Sequence, residues 1–293
     1  MRARPASVAG SAFTAACALW LAAGCSNPPQ ASVETWTPPA GDWQEVWRDD
    51  FNGPAGAAPD DAHWNVELRP FGQNEELDYD TNERTNSFQD GNGNLVIRAL
   101  KEQYVDAQGV TSSQPFTSAR LNTQGKVEQQ YGKFEARIKL PAGGKGVWPA
   151  FWLLGNDVHE AGWPSCGEVD ILEMRGSRPN LIDGSLHGPG YSGGNSYHHY
   201  YELTNGNYGD AFHVFTFEWT PDGTRWLVDG DPYYVKTPES VAQSGQRWVY
   251  DHPFFIILNL AIGGIFDGDP DATTTFPQEM QVDYVSVSKL GGT

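Results

Sequence analysis

The chain has 293 residues, a formal net charge of -18 and a hydrophobic share of 39%. Such acidity excludes a nucleic-acid binder, because phosphate repulsion would dominate, and it suits an exported protein acting on a neutral substrate such as a glycan. Eleven Trp and an aromatic share of 13% favour sugar binding, because pyranose faces stack on indole rings, although all-β cores also use aromatics.

Residues 1–24 carry Arg2 and Arg4, an apolar run through Ala18-Leu19-Trp20-Leu21, and then Ala22-Ala23-Gly24 before Cys25. This is a signal-peptide pattern, not a structural helix. It resembles a bacterial lipoprotein signal, in which Cys25 is lipidated and becomes the mature N-terminus. Plain secretion with cleavage nearby is the alternative. Either way the protein is expected to be exported, to the cell envelope or beyond, with a lipid on Cys25 as its one membrane contact. Residues 25–42 are rich in Pro, Ser and Thr and read as a disordered tether. From 43 to 290 there is no charge block, repeat or second linker, so this stretch is expected to be one domain; the protein is expected to be a monomer. Cys166 is alone within it, which excludes an intradomain disulfide. It reads as a small buried apolar residue.

The predicted strands follow in order. Asn94–Leu100 comes after the turn Asp90-Gly91-Asn92-Gly93. Tyr131–Leu140 alternates, with Phe134, Ala136, Ile138 and Leu140 on one face and Lys133, Glu135, Arg137 and Lys139 on the other. Gly167-Glu168-Val169-Asp170-Ile171-Leu172-Glu173-Met174 comes next, with three carboxylates in an apolar run that favours a half-buried strand. Alternation puts Glu168 and Asp170 on one face and turns Glu173 into the core. A carboxylate buried there without a partner would cost several kcal/mol or more. One extra residue between Asp170 and Glu173, a β-bulge, restores the parity. Glu168 and Glu173 then stand about four rises apart, roughly 13 Å along the backbone, and side chains leaning together suit a retaining glycosidase, whose carboxyl pair lies about 5–5.5 Å apart. A merely solvated acidic face is disfavoured, because like charges on one face destabilise a strand.

Further on, Phe212–Thr220 puts His213, Phe215, Phe217 and Trp219 on one face. Arg225–Val228 and Pro232–Val235 flank Asp229-Gly230, a hairpin turn. Phe254–Ile262 reads as a strand buried on both sides apart from Asn259. Gln281–Lys289 closes the domain. No stretch reads as an amphipathic helix. Short strands and Gly/Pro-rich turns imply an all-β sandwich or barrel. His198-His199 reads as surface, and Asp267-Gly-Asp-Pro-Asp271 as a solvated loop.

Glu168-Val-Asp170-Ile-Leu-Glu173 resembles the active-site signature of glycoside hydrolase family 16 in its bulged form. Gly146-Val-Trp-Pro-Ala-Phe-Trp-Leu-Leu-Gly155 resembles the preceding strand of bacterial laminarinases. Thr117-Ser-Ala-Arg120, Ser185-Leu-His-Gly-Pro-Gly-Tyr-Ser192 and Ile257-Leu-Asn-Leu-Ala-Ile-Gly-Gly264 carry the likeness further, from about Trp43 to Lys289. The resemblance implies a concanavalin A-like jelly roll, two antiparallel sheets with a cleft across the concave one. It implies endo-hydrolysis of β-1,3-glucan with retention, with Glu168 as nucleophile, Glu173 as acid/base and Asp170 as helper between them. Trp148, Trp152 and Trp163 are candidate sugar platforms, each with core packing as the alternative. Asn74, Arg120 and Asn259 are candidates to bond sugar hydroxyls, and His187 to touch substrate near the nucleophile. No cofactor is expected in catalysis. A structural Ca²⁺ is implied on the convex face, held by Asp283, Asp50 and Gly93 through hard oxygen donors.

The competing readings are a mixed-linkage β-1,3-1,4-glucanase, another glycanase of the family, and a non-catalytic glycan-binding module on the same sandwich. Fold alone cannot separate the last from an enzyme, but the acid triple can, since a lectin has no use for two facing Glu.

Overall fold

A computed structural model describes residues 34–69 and 74–291; the signal-peptide segment and Cys25 lie outside them. Strands β1 (Trp43–Asp49), β2 (Asn65–Val66), β3 (Asp78–Asp80), β4 (Ser87–Gln89), β5 (Leu95–Ala99), β6 (Phe116–Ser118), β7 (Arg120–Asn122) and β8 (Glu128–Gln129) form the first part. Next come β9 (Gly132–Lys139), β10 (Val147–Gly155), the short helix α1 (Val158–Ala161), β11 (Glu168–Met174), β12 (Leu181–His187) and β13 (Tyr197–Glu202). The last part holds β14 (His213–Thr220), β15 (Gly223–Val228), β16 (Asp231–Lys236), α2 (Pro238–Gln243), β17 (Phe254–Ile262) and β18 (Gln278–Leu290).

These strands make a jelly-roll sandwich of two antiparallel sheets. The first runs β16-β15-β14-β9-β18-β5-β4, with β1 also on β18. The second runs β13-β12-β11-β10-β17-β7-β2, with β8 also on β17. A small parallel pair, β3 with β6, stands apart from both. The alternation expected along β9 is present: Phe134, Ala136 and Ile138 are buried, and their neighbours are half-buried. Asp229 and Gly230 both take positive φ, 51° and 87°, which the tight turn between β15 and β16 requires. Between the sheets lies an aromatic core that includes Phe134, Phe151, Phe217, Trp219, Trp226 and Tyr250. Fully burying a side chain of the Phe class contributes roughly 1.5–3 kcal/mol.

Among the described residues helix occurs only in two short pieces, without room for an amphipathic period, in keeping with the sequence pattern. For α2 a local signal was present: Thr237 caps the Ser240 N–H, Pro238 follows it, and the Ser240 side chain completes a capping box. One expectation needs correction: the end of the proposed tether is not free. Residues 34–42 hold no strand or helix, yet Glu34 accepts from Lys236 at 2.9 Å. The Trp36 ring lies over Gly223, where a Cβ would come within 2.8 Å of it. Composition showed a chain unable to build its own core, but not that a neighbouring hairpin would cover one Trp.

Candidate active site

On β11, Val169, Ile171, Leu172 and Met174 are fully buried, while Glu168 and Glu173 are half-buried. Against β12, Asp170 pairs with Ser185 and Glu173 with Asp183, so three steps on β11 match two on β12. Against β10, Leu172 pairs with Phe151 and Asp170 with Trp152, so Ile171 has no opposite residue. This is the β-bulge that the parity of the acids demands, and it brings Glu168, Asp170 and Glu173 to one cleft face. A bulge disrupts the ladder locally. The carbonyl of Asp170 accepts a buried hydrogen bond from Trp226 Nε1, reaching across from β15 at 2.8 Å.

Each acid has its own partners. Trp163 Nε1 donates to Glu168 Oε2 at 2.9 Å, and Trp148 Nε1 to Glu173 Oε1 at 2.8 Å. Asp170 Oδ2 accepts from the Ser185 hydroxyl and lies 2.9 Å from His187 Nε2. The other imidazole nitrogen, Nδ1, accepts the Gly193 N–H at 3.0 Å. Nδ1 is therefore bare and Nε2 carries the proton. His187, expected to touch substrate, lines the cleft, and both of its ring nitrogens also have protein partners, through which it orients Asp170. Burial disfavours the charged imidazole, but Asp170, Glu168 and Glu173 together carry it up to about 9. The Gly193 N–H opposes this, since a protonated Nδ1 would face a second donor. We therefore take the neutral Nε2–H form as the one the geometry supports.

Burial and the neighbouring Asp170 raise Glu168 to about 7, against the lowering pull of the Trp163 N–H and of Arg120; only a protonated His187 would add to that pull. Burial and Asp170 push Glu173 well above the ordinary carboxylate range, with Glu168 adding to the push. The more strongly raised group is the one suited to hold a proton, and its partner is suited to give it up. Glu168, Asp170 and His187 also offer atoms within 4.8 Å of one another. A cation there would first have to displace the Nε2 proton.

The cleft has a volume of about 610 Å³. Every residue that the sequence suggested for catalysis or sugar contact lines it. Trp152 donates to Asn259 Oδ1 at 2.8 Å, which supplies the partner an Asn inside an apolar strand needs. Arg120 lies 4.6 Å over the Trp152 ring and bonds Glu67 at 3.1 Å. Trp148 stacks on Phe266 at 4.8 Å. Trp163 is 50% exposed. Asn74, at φ 25°, uses its carbonyl to hold Ile265.

Sequence reasoning missed Asp183, Ser185, His198, Tyr200 and Arg175, which also line the cleft. Alternation back from His187 through Ser185 to Asp183 could have found two of them. His198 and His199 are exposed, as expected, and His198 Nδ1 also lies 3.3 Å from Asp183 Oδ1. Burial raises Asp183 to about 6 against the pull of His198. Asp267 is not simply solvated either. It accepts from the N–H groups of Gly146 at 2.8 Å and Ser177 at 3.0 Å, tying the approach to β10 to the turn after β11. Cys166 is buried, and burial pushes its thiol up to about 11, so it is a packing residue.

The calcium donors lie elsewhere. Asp283 on β18 pairs with Arg137 at 2.6 Å, and Asp50 with Arg48 at 2.6 Å. Gly93 faces the main-chain carbonyl of Asp50. Both carboxylates already carry a guanidinium counter-charge, and calcium would have to displace both arginines.

The sequence matches glycosyl hydrolases family 16 over residues 74–286. It is 36% identical over 264 residues to a β-glucanase of Rhodothermus marinus, covering 84% of this chain and 85% of that protein. It is 38% identical over 268 residues to a glucan endo-1,3-β-glucosidase of Cryptopygus antarcticus, covering 84% and 92%. Among solved structures, the laminarinase catalytic domain of Thermotoga maritima MSB8 is similar with a TM-score of 0.79 and 47% identity, covering 86% of this chain and 100% of that one.

Proposed function

The chain belongs to glycosyl hydrolases family 16, and on that premise we propose that it cleaves internal β-1,3 linkages of a laminarin-type glucan with retention of configuration. The observation that carries this reading is the bulge, which brings Glu168 and Glu173 to one cleft face, each held by its own Trp N–H. Glu168 attacks the anomeric carbon while Glu173 passes its proton to the departing glycosidic oxygen. Glu173, now ionised, takes a proton from water, which attacks the same carbon and frees Glu168. Asp170, oriented by His187 and Ser185, raises both carboxyls, and the further-raised Glu173 keeps the proton. The two Glu and water supply every proton and electron pair, so the cycle uses no cofactor. The β-1,3 preference is supported by the relatives' names and by the His187-Gly188-Pro189 segment.

Laminarin, lichenan and agarose, with products sized and the first anomer read by NMR, test the reading. Laminarin oligosaccharides released first as the β-anomer are expected. An α-anomer would sink the mechanism, and preferential cleavage of lichenan would move the assignment to mixed-linkage glucan.

Three further proposals concern the whole protein. The cleft is built from one chain, which supports action as a monomer, and light scattering checks it. Ala22-Ala23-Gly24-Cys25 and the stretch after it support export with a lipid on Cys25. Mass spectrometry of the mature N-terminus decides that, and an unmodified end cut elsewhere rejects it. Structural calcium at Asp283, Asp50 and Gly93 is supported by the oxygen donors and opposed by Arg137 and Arg48. A melting temperature indifferent to both calcium and chelator rejects it.

A further inference from the structure

On the cleft face, the register of the second sheet lines up side chains in rows that cross the strands. One row runs Arg120, Asn259, Ala150, Glu173, Asp183, Tyr200, each the cross-strand partner of the next. Its neighbour runs through Trp152, Asp170, Ser185 and His198. The sugar platforms and hydroxyl contacts suggested by the sequence on these strands all lie on the β7–β17–β10 side of the acids. The β12–β13 side continues the same floor for two more strands, roughly 10 Å.

What stands there has the chemistry of a sugar site. Tyr200 is 40% exposed on an edge strand, and its ring meets that of His198 edge-on at 5.1 Å. On β13 these two share the cleft face, while Tyr197 and Tyr201 turn the other way to pack against the core. The core therefore does not explain an aromatic and a His at these positions. Asp183 is only 6% exposed, and among the described residues its one side-chain partner is His198 at 3.3 Å. A nearly buried carboxylate with one long bond has acceptor capacity to spare. Sugar hydroxyls are donors. An anionic sugar would meet Asp183 with Glu173 and Asp170 beside it.

We propose that Asp183, His198 and Tyr200 form a subsite for an uncharged glucosyl residue on the β12–β13 side of the scissile bond. Tyr200 offers the stacking face, and the Asp183–His198 pair reads the hydroxyls. This rests on the reaction proposed above.

The test uses β-1,3-gluco-oligosaccharides of increasing length, labelled at the reducing end, with the bond cut and kcat/KM read for each. Tyr200→Ala should lower kcat/KM roughly 2- to 10-fold, only on substrates long enough to reach β13, and shift the cut. Tyr200→Phe, which keeps the ring, should restore both. His198→Ala and Asp183→Asn should show the same dependence on length. Equal losses at every length, or no loss at all, would each overturn the subsite. A parent protein inactive on every β-glucan would instead overturn the reaction, so the two failures are distinct.

Discussion

Glu168 and Glu173 carry the same functional group and differ by their neighbours. The reaction needs Glu168 ionised and Glu173 protonated. Rate should therefore rise with pH through the raised pKa of Glu168, near 7, and fall through that of Glu173, which lies above the ordinary range. The two limbs belong to the coupled pair. Each indole N–H favours the ionised form of the carboxylate it bonds. Trp163→Phe should thus move the acid limb to higher pH, and Trp148→Phe should move the alkaline limb to higher pH. A pH–rate profile for each variant checks this, and a shift of either limb downward contradicts the assigned partners. Glu168→Gln should cut glucan hydrolysis about 1,000-fold or more and should also stabilise the fold in a defined window. The carboxyl of Glu168 titrates near 7 folded against an ordinary 4.5, so the folded state binds its proton more tightly. Stability from this group is full below 4.5 and is lost as pH rises through 7. The variant should melt with the parent at about pH 4 and above it at about pH 8. A gain confined to low pH would reverse the sign and defeat the argument.

The bulge acts at the scale of one strand. It turns Glu173 outward and leaves Ile171 with no opposite residue on β10. Trp226 holds the Asp170 carbonyl at this point from the other sheet. Trp226→Phe keeps an aromatic side chain, removes the donor and leaves a small void in the core. A buried carbonyl left unpaired costs about 1–3 kcal/mol, and a small displacement of the acids costs rate. We expect kcat to fall roughly 10- to 100-fold with KM nearly unchanged, because Trp226 lies in the core and reaches the cleft only through Asp170. Steady-state kinetics on laminarin would show this; a rise in KM at constant kcat would mean that Trp226 acts otherwise. Parity alone made the bulge legible, since Ile171 and Leu172 between Asp170 and Glu173 leave the second acid on the wrong face of a regular strand. It could not say which of Ile171 and Leu172 is extra, nor what would meet the carbonyl, because Trp226 lies far along the chain. The helix α2 was legible in Thr237-Pro238 by the same local logic.

Across the whole molecule the sheets and loops approach closely enough that some side chains are excluded. A Cβ on Gly155, at the end of β10, would stand 1.9 Å from the Cys166 carbonyl oxygen and 2.6 Å from Nε2 of His252. Gly155→Ala must therefore move the backbone next to Glu168, at a cost of about 1–3 kcal/mol, and thermal denaturation should show a clear drop in melting temperature. An unchanged melting point would mean that the loop before β11 yields freely. Composition, alternation and turn residues depend only on neighbours along the chain, and they sufficed for an all-β sandwich, the strands around the acids and the acids' shared face. Hydrogen-bond partners far apart in sequence do not leave such a trace. That His187 orients Asp170, that Asp183 and His198 extend the cleft, that Asp267 ties two loops together and that Trp36 rests on Gly223 were decided by tertiary structure, because each depends on which strands lie side by side and in what register.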